Sequence, residues 1–212
     1  MNIAFIGVGN VGAPLADRLQ DQGHTVAIAA RDPQSQKVRD ALSRNPNLLV
    51  QAPLEAIESA EVVFLATPFA AIEPALTPLK SVLDGKILVD CTNPVGANLT
   101  HGLQSQISGS ETVQQLVPNA RVVKAFTIYG YENFEDSNYP GYGELKPVML
   151  VAGNDFSAKE VVADLCHQLG WEPIDTGNLS MSLHLEHMTL LWINMARVQG
   201  RGAGFVWAML QR

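Results

Sequence analysis

Long apolar runs, cysteines and clustered basic residues are all scarce in these 212 residues, and each scarcity closes off a class of function. No apolar stretch approaches the roughly 18 to 20 residues that a membrane span requires. Met1-Asn2-Ile3 enters an apolar strand with no room for a signal peptide, so a cytoplasmic protein that uses no membrane is expected. The two cysteines, Cys91 and Cys166, lie far apart with no C-x-x-C pairing, which excludes a disulfide framework or a cysteine zinc site and leaves two small buried side chains. Lysine and arginine number 14 against 21 acidic residues, and with a formal net charge of −7 and no basic block the chain offers nucleic acid or an anionic surface nothing to bind. Charged residues make up only 17% against 47% hydrophobic ones, a compact composition with apolar surface to spare, and a homodimer is expected to cover it. There is no internal repeat and no low-complexity segment.

What the chain does contain begins at its first residues. The apolar run Asn2-Ile3-Ala4-Phe5-Ile6 leads directly into Gly7-Val8-Gly9-Asn10-Val11-Gly12 and then into the helical pattern Ala13-Pro14-Leu15-Ala16-Asp17-Arg18-Leu19. This is G-x-G-x-x-G between a strand and a helix, the context that distinguishes a dinucleotide fingerprint from an ordinary glycine turn. Gly7 permits the tight turn, Gly9 lets the backbone approach a pyrophosphate, and Gly12 allows the helix to lie close on the strand. The free N–H groups and positive dipole end of the helix starting near Val11 then face the phosphates.

Strand and helix signals alternate along the chain: strands at 2–6, 25–29, 48–51, 62–66, 87–91 and 121–126, with helices at 11–22, 33–44, 54–59, 70–83 and 112–116. A strand at 148–152, a helix at 157–169, a strand at 171–175 and a helix at 181–197 follow. That alternation predicts a Rossmann-type α/β fold, a doubly wound and mostly parallel sheet with a small C-terminal α/β extension. The expected division is a dinucleotide-binding domain over residues 1–126 and a small C-terminal substrate-binding portion over 127–212. Between them, residues 129–143 carry all four tyrosines, a loop long enough to serve a function.

The end of the second strand decides between the two nicotinamide dinucleotides. An acidic residue there accepts from a ribose 2′-hydroxyl, and a basic one accommodates a 2′-phosphate. This chain delivers Ala30-Arg31-Asp32-Pro33. Asp32 is a candidate ribose acid, but Asp-Pro ahead of a helical stretch reads as an N-cap, which commits the carboxylate to backbone N–H groups. NADP(H) is therefore preferred over NAD(H), with Arg31 and Lys37 as phosphate contacts and the small Ala30 leaving them room.

Together, the fingerprint, the Ala30–Pro33 turn, Thr67-Pro68, Asn93-Pro94, Val123-Lys124-Ala125-Phe126-Thr127-Ile128, Asp175-Thr176-Gly177-Asn178-Leu179-Ser180 and the Leu185-Glu186-His187 helix with Trp192 resemble the coenzyme F420-dependent NADP oxidoreductases. The same arrangement resembles the cytosolic reductase domain of the Steap metalloreductases. The resemblance implies NADP(H) lined by Gly9, Asn10, Val11, Arg31, Thr67 and Pro68, with Asn93 and Pro94 at the fifth strand's exit. It implies a second flat ring, coenzyme F420 or a flavin such as FMN or FAD, beside Phe126, Thr127 and Ile128.

Hydride transfer between two held rings needs positioning and exclusion of water rather than an acid–base residue, so no catalytic residue is assigned. Reduction of a carbonyl, imine or metal chelate would instead want a proton donor, with Lys124, Tyr129, His184 and His187 as candidates. Lys124 is expected at the sheet edge. His184 and His187 share a helical face but lack a third ligand, so no metal is assigned. A third possibility is a non-catalytic NADP(H)-sensing module. Tyr129 and Tyr131 on the aromatic loop are the expected contacts to a flat small-molecule redox acceptor, with packing against the C-terminal portion or a partner subunit as the rival reading. Trp192 is expected in the core, and the glycines of 200–204 are assigned no site role.

Overall fold

Strand β1 (Asn2–Ile6) buries both of its faces, Ile3 and Phe5 on one side and Ala4 and Ile6 on the other, which makes it an interior strand covered by helices on each side. The computed structural model describes residues 1–212, and the elements follow in the order expected. After β1 come α1 (Gly12–Asp21), β2 (Thr25–Ala29), α2 (Gln36–Arg44), β3 (Leu49–Gln51), α3 (Pro53–Ser59) and β4 (Val62–Leu65). Then follow α4 (Ile72–Leu76), β5 (Ile87–Asp90), α5 (Gly109–Leu116), β6 (Arg121–Lys124), β7 (Val148–Gly153), α6 (Phe156–Gln168), β8 (Glu172–Asp175) and α7 (Ser182–Ile193). They form one eight-stranded sheet of order β3-β2-β1-β4-β5-β6-β7-β8, parallel except where β7 runs against β6. The two strands beyond residue 127 thus extend the nucleotide-binding sheet itself.

The order reverses between β1 and β4, so the crevice at their C-terminal ends is the switch point where such sheets take ligands. Phe5 stacks on Phe64 of the neighbouring strand with ring centroids 4.7 Å apart, and the aromatic core continues through Phe126 to Phe134 and Trp171. The C-terminal segment returns over α7: Phe205 stacks on Trp192, and Trp207 donates from Nε1 to the Ile128 carbonyl at 3.1 Å. Trp192 is buried in the core, as expected, and its ring also faces a cavity.

Several boundaries differ from the sequence pattern. The helix expected over 70–83 is broken into α4 flanked by 3-10 turns, because Pro78 has no N–H to continue the ladder. Helix α5 starts three residues earlier than expected, on a capping box in which the Ser108 hydroxyl accepts from Glu111 N–H and Glu111 accepts from Ser108 N–H. Asp32 does not cap α2, which begins at Gln36. Its Oδ1 accepts instead from Gln34 N–H at 2.9 Å, stabilising the turn ahead of the helix. Helix α7 ends at Ile193 and loosens into a π turn over Asn194–Val198.

Candidate functional site

The three fingerprint glycines have different neighbours. Gly7 has φ +100°, and a Cβ there would stand 2.7 Å from the Ala66 carbonyl oxygen. A Cβ on Gly12 would stand 2.1 Å from the Gly7 carbonyl oxygen, so both positions are bare because the strand–turn–helix packing leaves no room. Gly9 is not constrained in that way. Its nearest neighbour would be Lys37 Nζ at 3.6 Å, and its missing side chain therefore opens space for a ligand rather than for the protein.

That space is the middle of a groove with a cavity at each end. The first cavity, about 580 Å³, lies beyond the ends of β1 and β2 and is lined by Gly7, Ala30, Arg31, Lys37 and Thr67 together with the apolar wall Ile28, Pro53, Leu54 and Pro78. Arg31 and Lys37 are exposed and make no hydrogen bond or ion pair within the chain, unlike Arg18, Arg44, Lys124 and Lys159. Thr67 Oγ1 is buried with no partner. Asp32 also reaches this cavity, with Oδ1 already engaged by Gln34. Gly9 and Asn10 line the groove where it runs between α1 and α2, again with Lys37.

The second cavity, about 270 Å³, opens at the other end, past the ends of β5 and β6. Val11, Asn93, Phe126, Thr127, Tyr129 and Tyr131 line it, with Trp192 and Arg197 from the C-terminal elements. Thr127 is 2% exposed and its Oγ1 has no partner, an orphaned hydroxyl of the kind that a bound polar group satisfies. Phe126 holds the strand exit in a left-handed turn, φ +56°, while its N–H donates to Met149 Sδ at 3.1 Å. Tyr129 offers the cavity only part of its surface. Its ring is packed in the core and its hydroxyl donates to the Val148 carbonyl at 3.2 Å, and burial pushes its pKa well up. Tyr131 stands at the rim, and the cavity-lining Arg197 pairs with Glu132. Burial likewise pushes the Cys91 thiol well up, so this cavity-lining cysteine is no nucleophile.

Other predicted positions fall elsewhere. Ile128 is fully buried behind the cavity wall because its side chain joins the core that its own carbonyl helps close through Trp207. Pro68 is exposed at the start of a 3-10 turn, and Pro94 is buried with its carbonyl accepting from Gly102 N–H; neither lines the groove. His184 and His187 both lie exposed on α7, where His187 meets the Ser105 hydroxyl at 3.1 Å.

Lys124 is not at a sheet edge. Strand β6 lies between β5 and β7, so its last side chain is fully buried and contacts Asp90 at 3.2 Å and Glu186 at 3.1 Å. Burial works to lower the ammonium's pKa, and the two carboxylates outweigh it, holding Lys124 above its ordinary value. His101 Nε2 completes the group 2.8 Å from Glu186. The sequence pattern assigns no role to Asp90, Glu186 or His101. The available signal was Asp90 closing the otherwise apolar strand Ile87-Leu88-Val89 and Glu186 interrupting an apolar helix, both charges out of place unless paired.

The model of the family described as NADP oxidoreductase, coenzyme F420-dependent, matches residues 2–94. The F420-dependent NADP reductase of Methanocaldococcus jannaschii is 31% identical over 222 residues, covering 96% of this chain and 96% of that protein. A solved structure from Arthrobacter sp. FB24, assigned as an F420-dependent NADP reductase, superposes with a TM-score of 0.87 at 31% identity over the whole of both chains. The rat metalloreductase STEAP3 is 30% identical over 189 residues, and the chain spans 36% of its length. With the fingerprint, the unpaired Arg31 after β2 and Lys37 on α2, and the second cavity in place, the chain belongs to the coenzyme F420-dependent NADP oxidoreductase family and is an NADP-dependent oxidoreductase.

Proposed function

We propose that this chain binds NADP(H) along the groove, with the 2′-phosphate at Arg31 and Lys37, and brings its nicotinamide end against a deazaflavin ring of the coenzyme F420 type at the second cavity. NADPH supplies a hydride, and the protein's work is to hold the donor and acceptor in register and exclude water. The observation that carries the reading is the placement of two cavities at opposite ends of one bare glycine turn, the first with two uncommitted cations and the second with aromatic and apolar walls. Gly9 leaves the pyrophosphate its approach, and the first turn of α1 presents its N–H groups there. The orphaned Thr67 and Thr127 hydroxyls fit polar groups of a bound cofactor.

The cavity's chemistry supports transfer to a ring over reduction of a carbonyl or imine. Lys124, His184 and His187 do not line it, and the Tyr129 hydroxyl is spent on a backbone carbonyl. That leaves hydride transfer without a dedicated proton donor as the reaction these walls favour. Anaerobic oxidation of NADPH with deazaflavin, free flavins, quinones and ferric chelates offered in parallel tests the proposal. Deazaflavin reduction is expected to be fastest. Binding of NADPH with no turnover of any acceptor would make the chain a cofactor-sensing module instead, and turnover of ferric chelates alone would move it to the metalloreductases.

A further inference from the structure

The buried group behind the second cavity carries an uncompensated charge, and its protonation can be read from its hydrogen bonds. Lys124 Nζ meets three acceptors, Asp90 Oδ2 at 3.2 Å, Glu186 Oε1 at 3.1 Å and the Thr92 carbonyl at 2.5 Å, one for each proton of an ammonium. The Asp90 oxygens accept from the Thr92 N–H and hydroxyl, from the Ser110 hydroxyl and from Lys124. Glu186 accepts from Gly109 N–H, Lys124 and His101. Both carboxyls are thus surrounded by donors and hold no proton of their own. His101 Nδ1 faces the N–H groups of Leu103 and Ser105, each at 3.3 Å, so its one proton sits on Nε2 toward Glu186 and the ring is neutral. Two carboxylates against one ammonium leave one negative charge in the interior, where no residue of the group is more than 6% exposed.

The group lies directly behind the cavity wall, one residue or one turn from several of its lining residues. Cys91 and Asn93, on either side of Thr92, line the second cavity, as does Thr127 just beyond Lys124. Thr189, one turn on from Glu186, also lines it and bridges the Thr127 carbonyl at 2.9 Å and Asn93 Oδ1 at 3.1 Å. An oxidised nicotinamide carries a positive charge that the reduced ring lacks. We infer that the uncompensated negative charge of the Asp90–Lys124–Glu186–His101 group makes this site prefer the oxidised cofactor, lowering the free energy of bound NADP⁺ relative to bound NADPH. Asp90 and Glu186 act through the field they set across the wall, without touching the cofactor, and are positioning residues. The inference rests on the reading that the nicotinamide lies at this cavity.

The test is the ratio of NADP⁺ to NADPH affinity, measured by calorimetry on the parent, Asp90→Asn and Glu186→Gln. Each variant cancels the excess charge while keeping the side chain's shape. The ratio is expected to shift against NADP⁺ by about threefold to tenfold in both variants. A purely structural role would weaken both nucleotides alike. That result, or an unmoved ratio in whichever variant folds, overturns the inference while leaving the NADP(H) site intact. A parent chain that binds neither nucleotide overturns the proposed function itself.

Discussion

A Cβ on Gly12 would meet the Gly7 carbonyl at 2.1 Å, whereas one on Gly9 would meet only the end of Lys37, so the two glycines predict different failures. Gly12→Ala should destabilise the fold by about 1 to 3 kcal/mol through overpacking, read as a lower denaturation midpoint. Gly9→Val should remain folded by circular dichroism and lose NADPH binding, because the branched side chain occupies the pyrophosphate's approach. A folded Gly9→Val that binds at parent affinity would remove the fingerprint from the argument. Arg31 has no partner in the chain, so Arg31→Ala should leave NADH binding nearly unchanged while weakening NADPH by about 1.5 to 3 kcal/mol, roughly tenfold to a hundredfold. Equal losses of both cofactors would make Arg31 structural. Tighter binding of NADH than NADPH by the parent would return Asp32, whose Oδ2 remains uncommitted, to the role of ribose acid.

At the scale of elements, the aromatic loop divides between two roles that its sequence presents as one. Tyr129 is packed on Phe134 with its hydroxyl on Val148, while Tyr131 is 39% exposed at the cavity rim. Tyr131→Leu should weaken the acceptor by about 0.5 to 1.5 kcal/mol with the melting temperature unchanged, since stacking is lost and apolar area largely kept. Tyr129→Leu should instead lower the melting temperature. Acceptor kinetics beside a thermal melt of both variants separates these outcomes, and a loss of stability in Tyr131→Leu would assign the rim residue to packing. Helix α5 gives a second element-level test. Ser108→Ala removes the capping box and should cost about 0.5 to 2 kcal/mol in urea unfolding.

For the whole molecule, the buried ion group ties β5, β6, α7 and the 91–108 connection into one unit. Lys124→Met would strand Asp90 and Glu186 without a counterion and should cost about 3 to 5 kcal/mol in chemical denaturation. The pH dependence follows from the sign of the shift. The folded pKa of Lys124 lies above its ordinary value, so its contribution is fully present below that ordinary value, about 10.4, and is lost only as pH rises through the higher folded value. The difference in stability between parent and Lys124→Met should therefore stay flat on the lysine's account from neutral pH to about pH 10. A difference that collapsed near neutrality would show that the ammonium is not the stabilising form. No helix is long and apolar enough to cross a membrane.

Some of this was decided by local chemistry and so was present in the sequence alone. Short continuous apolar runs alternating with period-3.6 patterns predict the alternating α/β order, because each strand must bury two faces and each helix one stripe. The turn at Gly7–Gly12 and the basic residue delivered after β2 are likewise matters of spacing within a few residues. What the sequence pattern missed required contacts between distant segments. Asp90, His101, Lys124 and Glu186 become intelligible only as a set, because an unpaired buried charge is costly and the four residues lie on four different segments. Tyr129 and Tyr131 are two residues apart, and only the packing of Phe134 and the strand bearing Val148 decides that one ring enters the core and the other faces the cavity. The order of residues thus determined the fold and the place of the glycine-lined groove, and the tertiary structure decided which side chains are free to face it, because freedom depends on what the rest of the chain has already bonded.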